Sequence, residues 1–131
     1  MSVVDGTGQD HLPIVVGYSS RPEGRAALRR AVAEATLRGA GLVVLHGPED
    51  DLDELRADLE ASGVPHRLET SADSSDLAED LLDLAESTGA AFIVIGLRRR
   101  SPVGKLLLGS NAQRVLLDAA CPVLAVKADE R

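Results

Sequence analysis

The sequence predicts an α/β fold, a three-layer α/β/α sandwich built on a five-stranded parallel sheet. Short runs of aliphatic and β-branched residues alternate along the chain with longer segments whose apolar residues recur at helical spacing. The short runs are continuous rather than alternating in polarity, as strands covered on both faces require. Strands that alternate with helices pair in parallel through right-handed crossovers.

Taken in order, residues 1–11 are polar and glycine-containing and read as a flexible arm, leaving 12–131 as the domain. Residues 13–18 (PIVVGY) form the first strand, and Ser19, Ser20 and Arg21 a loop. A helix over 22–38 places Leu28, Ala31, Val32 and Ala35 on one face. Pro22 suits its first position and Gly39 its stop. Residues 42–46 (LVVLH) are the second strand, ended by Gly47-Pro48. Residues 51–61 form a short acidic helix with Leu52, Leu55 and Leu59 inward and Gly63 at its end. The polar alternation of 65–70 and its leading proline mark an edge strand. The helix over 74–88 carries Asp76 and Glu79 at capping-box spacing and turns Leu77, Leu81 and Leu84 inward. Residues 91–95 (AFIVI) are the strongest strand, and 96–108 read as a loop. The last helix, 110–118, points Ala112, Val115, Leu116 and Ala119 inward, and 122–126 is the final strand.

Composition narrows the function. The 131 residues suffice for one domain, and 44% hydrophobic with 27% charged is the balance of a globular protein. Aromatic residues are only 2%, Tyr18 and Phe92, so the core is aliphatic and no stacking platform for single-stranded nucleic acid is available. A net charge of -7 and a pI near 4.9 argue against a nucleic-acid partner. No apolar run approaches the ~18 residues of a membrane span, and 1–11 lack the pattern of a secretory signal, so no membrane partner and a cytoplasmic location are expected. The single Cys121 makes neither an internal disulfide nor a cysteine-based zinc site, and ahead of Pro122 it reads as buried and inert. No structural metal is expected.

Ligands of open α/β sheets bind beyond the carboxyl ends of the strands, where the strand order reverses. Four segments meet there: 17–20, 46–48, 96–104 and 109–111. The last opens a helix, where free backbone N–H groups and the helix dipole favour a phosphate; the alternative is that Ser110 is only an N-cap. Arg98, Arg99 and Arg100, with Lys105 and Arg114, are the one basic cluster of an acidic chain. They are either a solvated face or a bidentate phosphate clamp. Leu106 after Gly104-Lys105 excludes a Walker loop. His46 is the only histidine at a strand end near the crevice, and with no acid to orient it a structural role is expected. Ser19-Ser20 after the first strand supply none of the carboxylates a phosphoacceptor domain uses for Mg²⁺.

These residues resemble the universal stress protein family. Its signature is glycine, two residues, glycine, nine residues, then Gly-Ser or Gly-Thr. The chain keeps that spacing from Gly96 through Arg99 to Gly109-Ser110, and the segments 92–96, 106–116 and 121–127 are also similar. The resemblance spans residues 13–127. It implies strand order 3-2-1-4-5 and a homodimer formed through the last strand at Val123, Leu124, Ala125 and Val126. It implies ATP or AMP in the crevice, with adenine contacts near Gly17, Gly47 and Ile95 and ribose and phosphate contacts at Gly96, Gly109, Ser110 and Asn111. Tyr18 and Ser19 are expected to border the same place, with Arg98 and Arg99 beside the phosphates; Arg99 either neutralises a phosphate or fills the space where one would lie. Two departures bear on this. Ser19 stands where nucleotide-binding members carry Asp, and Arg99 replaces the second signature glycine. The expected function is therefore a small stress-response protein that binds an adenine nucleotide, with at most slow ATP hydrolysis. The alternative is a dimeric protein-interaction module that binds no nucleotide.

Overall fold

The computed structural model of the chain describes residues 12–98 and 108–128. The predicted arm, Arg99, Arg100 and Lys105 lie outside these residues. Five strands, β1 (Ile14–Gly17), β2 (Leu42–His46), β3 (His66–Thr70), β4 (Phe92–Leu97) and β5 (Val123–Lys127), form one sheet in the order β3-β2-β1-β4-β5. Every pairing is parallel, and the register sets Ile14 between Leu42 and Phe92 and Val94 beside Leu124. The predicted topology is thus observed, and the strand order reverses between β1 and β4.

Among the described residues four helices cover the faces: α1 (Pro22–Arg38), α2 (Leu52–Ser62), α3 (Leu77–Thr88) and α4 (Ser110–Asp118). Alternation along β1 divides the core. Ile14 and Val16 join the apolar layer under α1 and α2, with Leu28, Ala31, Leu55 and Leu59. Val15 joins the layer under α3 and α4, with Leu81, Ile93 and Val115. Each fully buried aliphatic side chain contributes on the order of 1.5–3 kcal/mol. Pro22 opens α1, and the left-handed Gly39 (φ 65°) closes it. Asp51 caps α2 by accepting from the amides of Asp53 and Glu54.

Three expectations are corrected. The Asp76–Glu79 capping box does not form: residues 74–76 make a 3-10 turn, and Asp76 makes no side-chain cap to α3. Asp73 holds the turn instead, accepting from the Ser75 amide at 3.0 Å, and that bond lowers its pKa. Leu116 is exposed rather than inward, because the stripe that meets the sheet runs through Ala112, Val115 and Ala119. Gly96 and Leu97, expected in a loop, extend β4 by pairing with Val126 and Lys127.

Candidate functional site

The carboxyl ends of β1 and β4 diverge at the order reversal, and a cavity of about 200 Å³ opens between them. Six of the expected site residues line it: Gly17, Tyr18, Ser19, Ile95, Gly96 and Asn111. Leu77 and Leu81 from α3 and Val115 from α4 make its wall apolar. The volume lies below the ~300–1,000 Å³ of pockets that enclose a whole drug-sized ligand. It accommodates a flat ring or a sugar, with anything further lying on the rim.

Two close approaches fix the shape of this cavity. A Cβ on Gly96 would run into the backbone carbonyl of Glu23, and a Cβ on Gly24 would run into the backbone and hydroxyl of Ser19. The first turn of α1 therefore lies flush on the end of β4 and on the loop after β1. Gly96 is demanded by helix packing, whatever else it does. Glu23 lines the cavity, and its Oε1 is buried with no hydrogen-bond partner among the described residues.

Gly109, Ser110, Arg98 and Gly47 do not line the cavity. Gly109 rather than Ser110 is the N-cap of α4, with φ -69° and ψ 167°, and no side chain caps the helix. A Cβ on Gly109 would meet nothing within 4 Å among the described residues. The first amides of α4 are free of intrahelical partners by the geometry of any helix start. Arg114, grouped by sequence with the basic cluster, lies instead 3.9 Å from Glu79 and 3.6 Å from Asp118. Arg99 is outside the described residues.

On the β2 side the crevice is held shut by the chain itself. The Gly47 amide donates to Asp50 Oδ2 at 2.7 Å. Asp50 Oδ1 accepts from the Ser20 amide at 3.1 Å and its hydroxyl at 3.3 Å. One carboxylate thus clasps the loops after β1 and β2 and engages the Gly47 and Ser20 amides. Sequence reading missed Asp50, which the Gly-Pro-Glu-Asp turn brings back onto Gly47, and Glu23, which reads as an ordinary acid in a first helical turn.

His46 is buried, with Nδ1 2.9 Å from the Gly47 carbonyl and Nε2 3.2 Å from Thr70 Oγ1. A carbonyl only accepts, so Nδ1 donates and Nε2 pairs with the Thr70 hydroxyl. Both nitrogens are engaged, which fits the structural role expected of this ring. Tyr18 is 1% exposed and belongs to the layer under α1 and α2, so its ring presents little surface to a ligand. Its hydroxyl has no hydrogen-bond partner among the described residues. Burial raises its pKa above 10.0, while Ser20 and Arg25 nearby pull the other way. Cys121 lies half-buried at the opposite end of the sheet, and burial raises its thiol pKa. Among the described residues no His, Cys, Asp and Glu group as a metal site, and no helix is long and apolar enough to cross a membrane.

Comparison with known proteins places this architecture. The universal stress protein family model matches residues 47–127. A universal stress protein of Mycolicibacterium smegmatis is 44% identical over 126 residues, which cover 87% of this chain and 96% of that protein. A universal stress protein structure from Archaeoglobus fulgidus is 32% identical with a TM-score of 0.71, covering 89% of this chain and 99% of its own. Another from the same organism, solved in complex with dAMP, is 26% identical with a TM-score of 0.66, covering 89% and 98%. With its strand order, its signature spacing and these relatives in agreement, the chain belongs to the universal stress protein family.

Proposed function

We propose that this chain is a stress-response protein of the cytoplasm that binds ATP or a related adenine nucleotide in the crevice between β1 and β4. The observation that carries the reading is the cavity at the order reversal, bordered by Gly17, Ser19, Ile95, Gly96 and Asn111. Its apolar wall suits the faces of a purine, and the start of α4 beside it suits the phosphates. The Archaeoglobus relative that binds dAMP supports the same class of ligand. The protein acts as a binder and hydrolyses ATP slowly at most, because His46 is engaged at both nitrogens. Isothermal calorimetry with ATP and AMP, with analysis of nucleotide carried through purification, tests the reading. Binding at millimolar nucleotide or below is expected; no heat and no copurified adenine would overturn it.

A second reading, the interaction module without nucleotide, is favoured by the Asp50 clasp on Gly47 and by the serine at position 19. The same calorimetry separates the two. Both readings include a homodimer. Among the described residues β5 has a sheet neighbour on one side only, and Val123 to Val126 are half-buried. Exposed apolar edges invite pairing, and a two-fold axis closes the assembly. Light scattering on Leu124→Lys, checked for folding by circular dichroism, is expected to give a monomer; an unchanged dimer refutes this interface.

A further inference from the structure

The carboxylate of Glu23 has no task in the fold among the described residues. Some acids of the structure are engaged, Glu34 between Arg30 and Arg38, Glu54 with Arg25, Glu69 with Arg67 and Asp50 in its clasp, and others reach water. Glu23 Oε1, by contrast, is buried without a donor, on a residue that lines the cavity. A carboxylate oxygen hidden from water and left unpaired is costly, and such groups in native structures ask for a reason. The position is also fixed in advance. The absent side chains of Gly96 and Gly24 let the backbone of Glu23 lie against β4 and the helix turn lie against Ser19. The backbone that carries the carboxylate is therefore in place before any ligand arrives.

We propose that Glu23 is a specificity-determining residue of the crevice, accepting a hydrogen bond from an uncharged donor on the nucleoside part of the ligand. This deepens the nucleotide reading and rests on it. The donor is a sugar hydroxyl or the exocyclic amine of the base, both of which donate to a carboxylate. A phosphate is excluded from this end, because it would set like charges together in a largely apolar cavity. The ligand therefore enters with its nucleoside end toward Glu23 and its phosphates toward the start of α4. Glu23 thus supplies, from α1, an acidic acceptor in a crevice where position 19 is serine.

Calorimetry on the full chain with wild type, Glu23→Ala and Glu23→Gln tests this, using adenosine, 2′-deoxyadenosine, 3′-deoxyadenosine, inosine and ATP. Glu23→Ala is expected to weaken adenosine by about tenfold or more, the scale of a hydrogen bond to a charged group. ATP should lose less, because the same change removes a charge that opposes the phosphates. The analogue lacking the relevant donor should bind wild type about tenfold more weakly than adenosine and bind Glu23→Ala as adenosine does. A deoxynucleoside showing this pattern identifies the sugar as the donor, and inosine showing it identifies the amine. If Glu23→Ala melts early, Glu23→Gln, of the same shape, carries the comparison: its amide oxygen still accepts but is uncharged, so a smaller loss of adenosine affinity with the same order of analogues is expected. Wild type that binds adenosine and ATP while both variants bind every compound equally well would overturn the role of Glu23 and leave the nucleotide reading standing. Wild type that binds none of the compounds would overturn both.

Discussion

Gly96 and Gly109 belong to one signature and are held for opposite reasons. At Gly96 there is no room: a methyl group would meet the carbonyl of Glu23 where α1 lies on β4. At Gly109 there is room: nothing among the described residues stands within 4 Å of a Cβ, and its φ of -69° is one that any residue adopts. The fold uses Gly109 as an N-cap, a modest service that serine or asparagine performs better. The first glycine is thus a requirement of folding. The second shapes a rim, and nothing among the described residues demands a glycine there. A spacing motif can therefore join two physical causes that only coordinates separate.

Substitutions break or sharpen this contrast. Gly96→Ala should show the largest effect, a destabilisation of about 1–3 kcal/mol from overpacking, read by urea denaturation. A variant as stable as wild type would show that α1 yields easily and would dissolve the contrast. Asp51→Ala, which removes a true N-cap from α2, should cost about 1 kcal/mol and supplies the scale for a cap. Gly109→Ala should cost about 0.5 kcal/mol, since only the cap preference is lost. Its effect on nucleotide affinity should exceed its effect on stability, and the reverse would make Gly109 a folding residue like Gly96. Ser110→Ala should change stability least, within about 0.5 kcal/mol, because its hydroxyl makes no cap bond.

Periodicity and punctuation made the scaffold legible. The bounds of α1, β2 and α4 follow directly from apolar spacing, Pro22, Gly39 and the Gly109-Ser110 step. The strand order came from the resemblance, and the sheet agrees with it. What periodicity could not supply was the identity of neighbours. Asp50 on Gly47, Glu79 beside Arg114 and the Glu23 backbone under Gly96 join segments 3 to 73 residues apart in sequence, and no local pattern announces them. Leu116 fitted a helical face, yet α4 leans on the sheet along a narrower stripe. Asp76 had the right spacing for a box, but Asp73 took the turn first. Of the site, the residues on strand ends were readable. The acids that border or clasp it were not, because a carboxylate in a turn looks the same in sequence whether it faces water or a backbone amide.

Tyr18 is the only tyrosine of a chain without tryptophan, and it stands just past the end of β1, at the border of the crevice. Ultraviolet emission from this protein is therefore the signal of one known position, with no label required. Its alkaline absorbance change should begin later than that of free tyrosine, because burial raises its pKa above 10.0. As pH climbs past that value the unfolded chain gives up this proton before the native one does. Stability supplied by the neutral phenol is then lost, so the alkaline transition and the spectral change of Tyr18 should travel together.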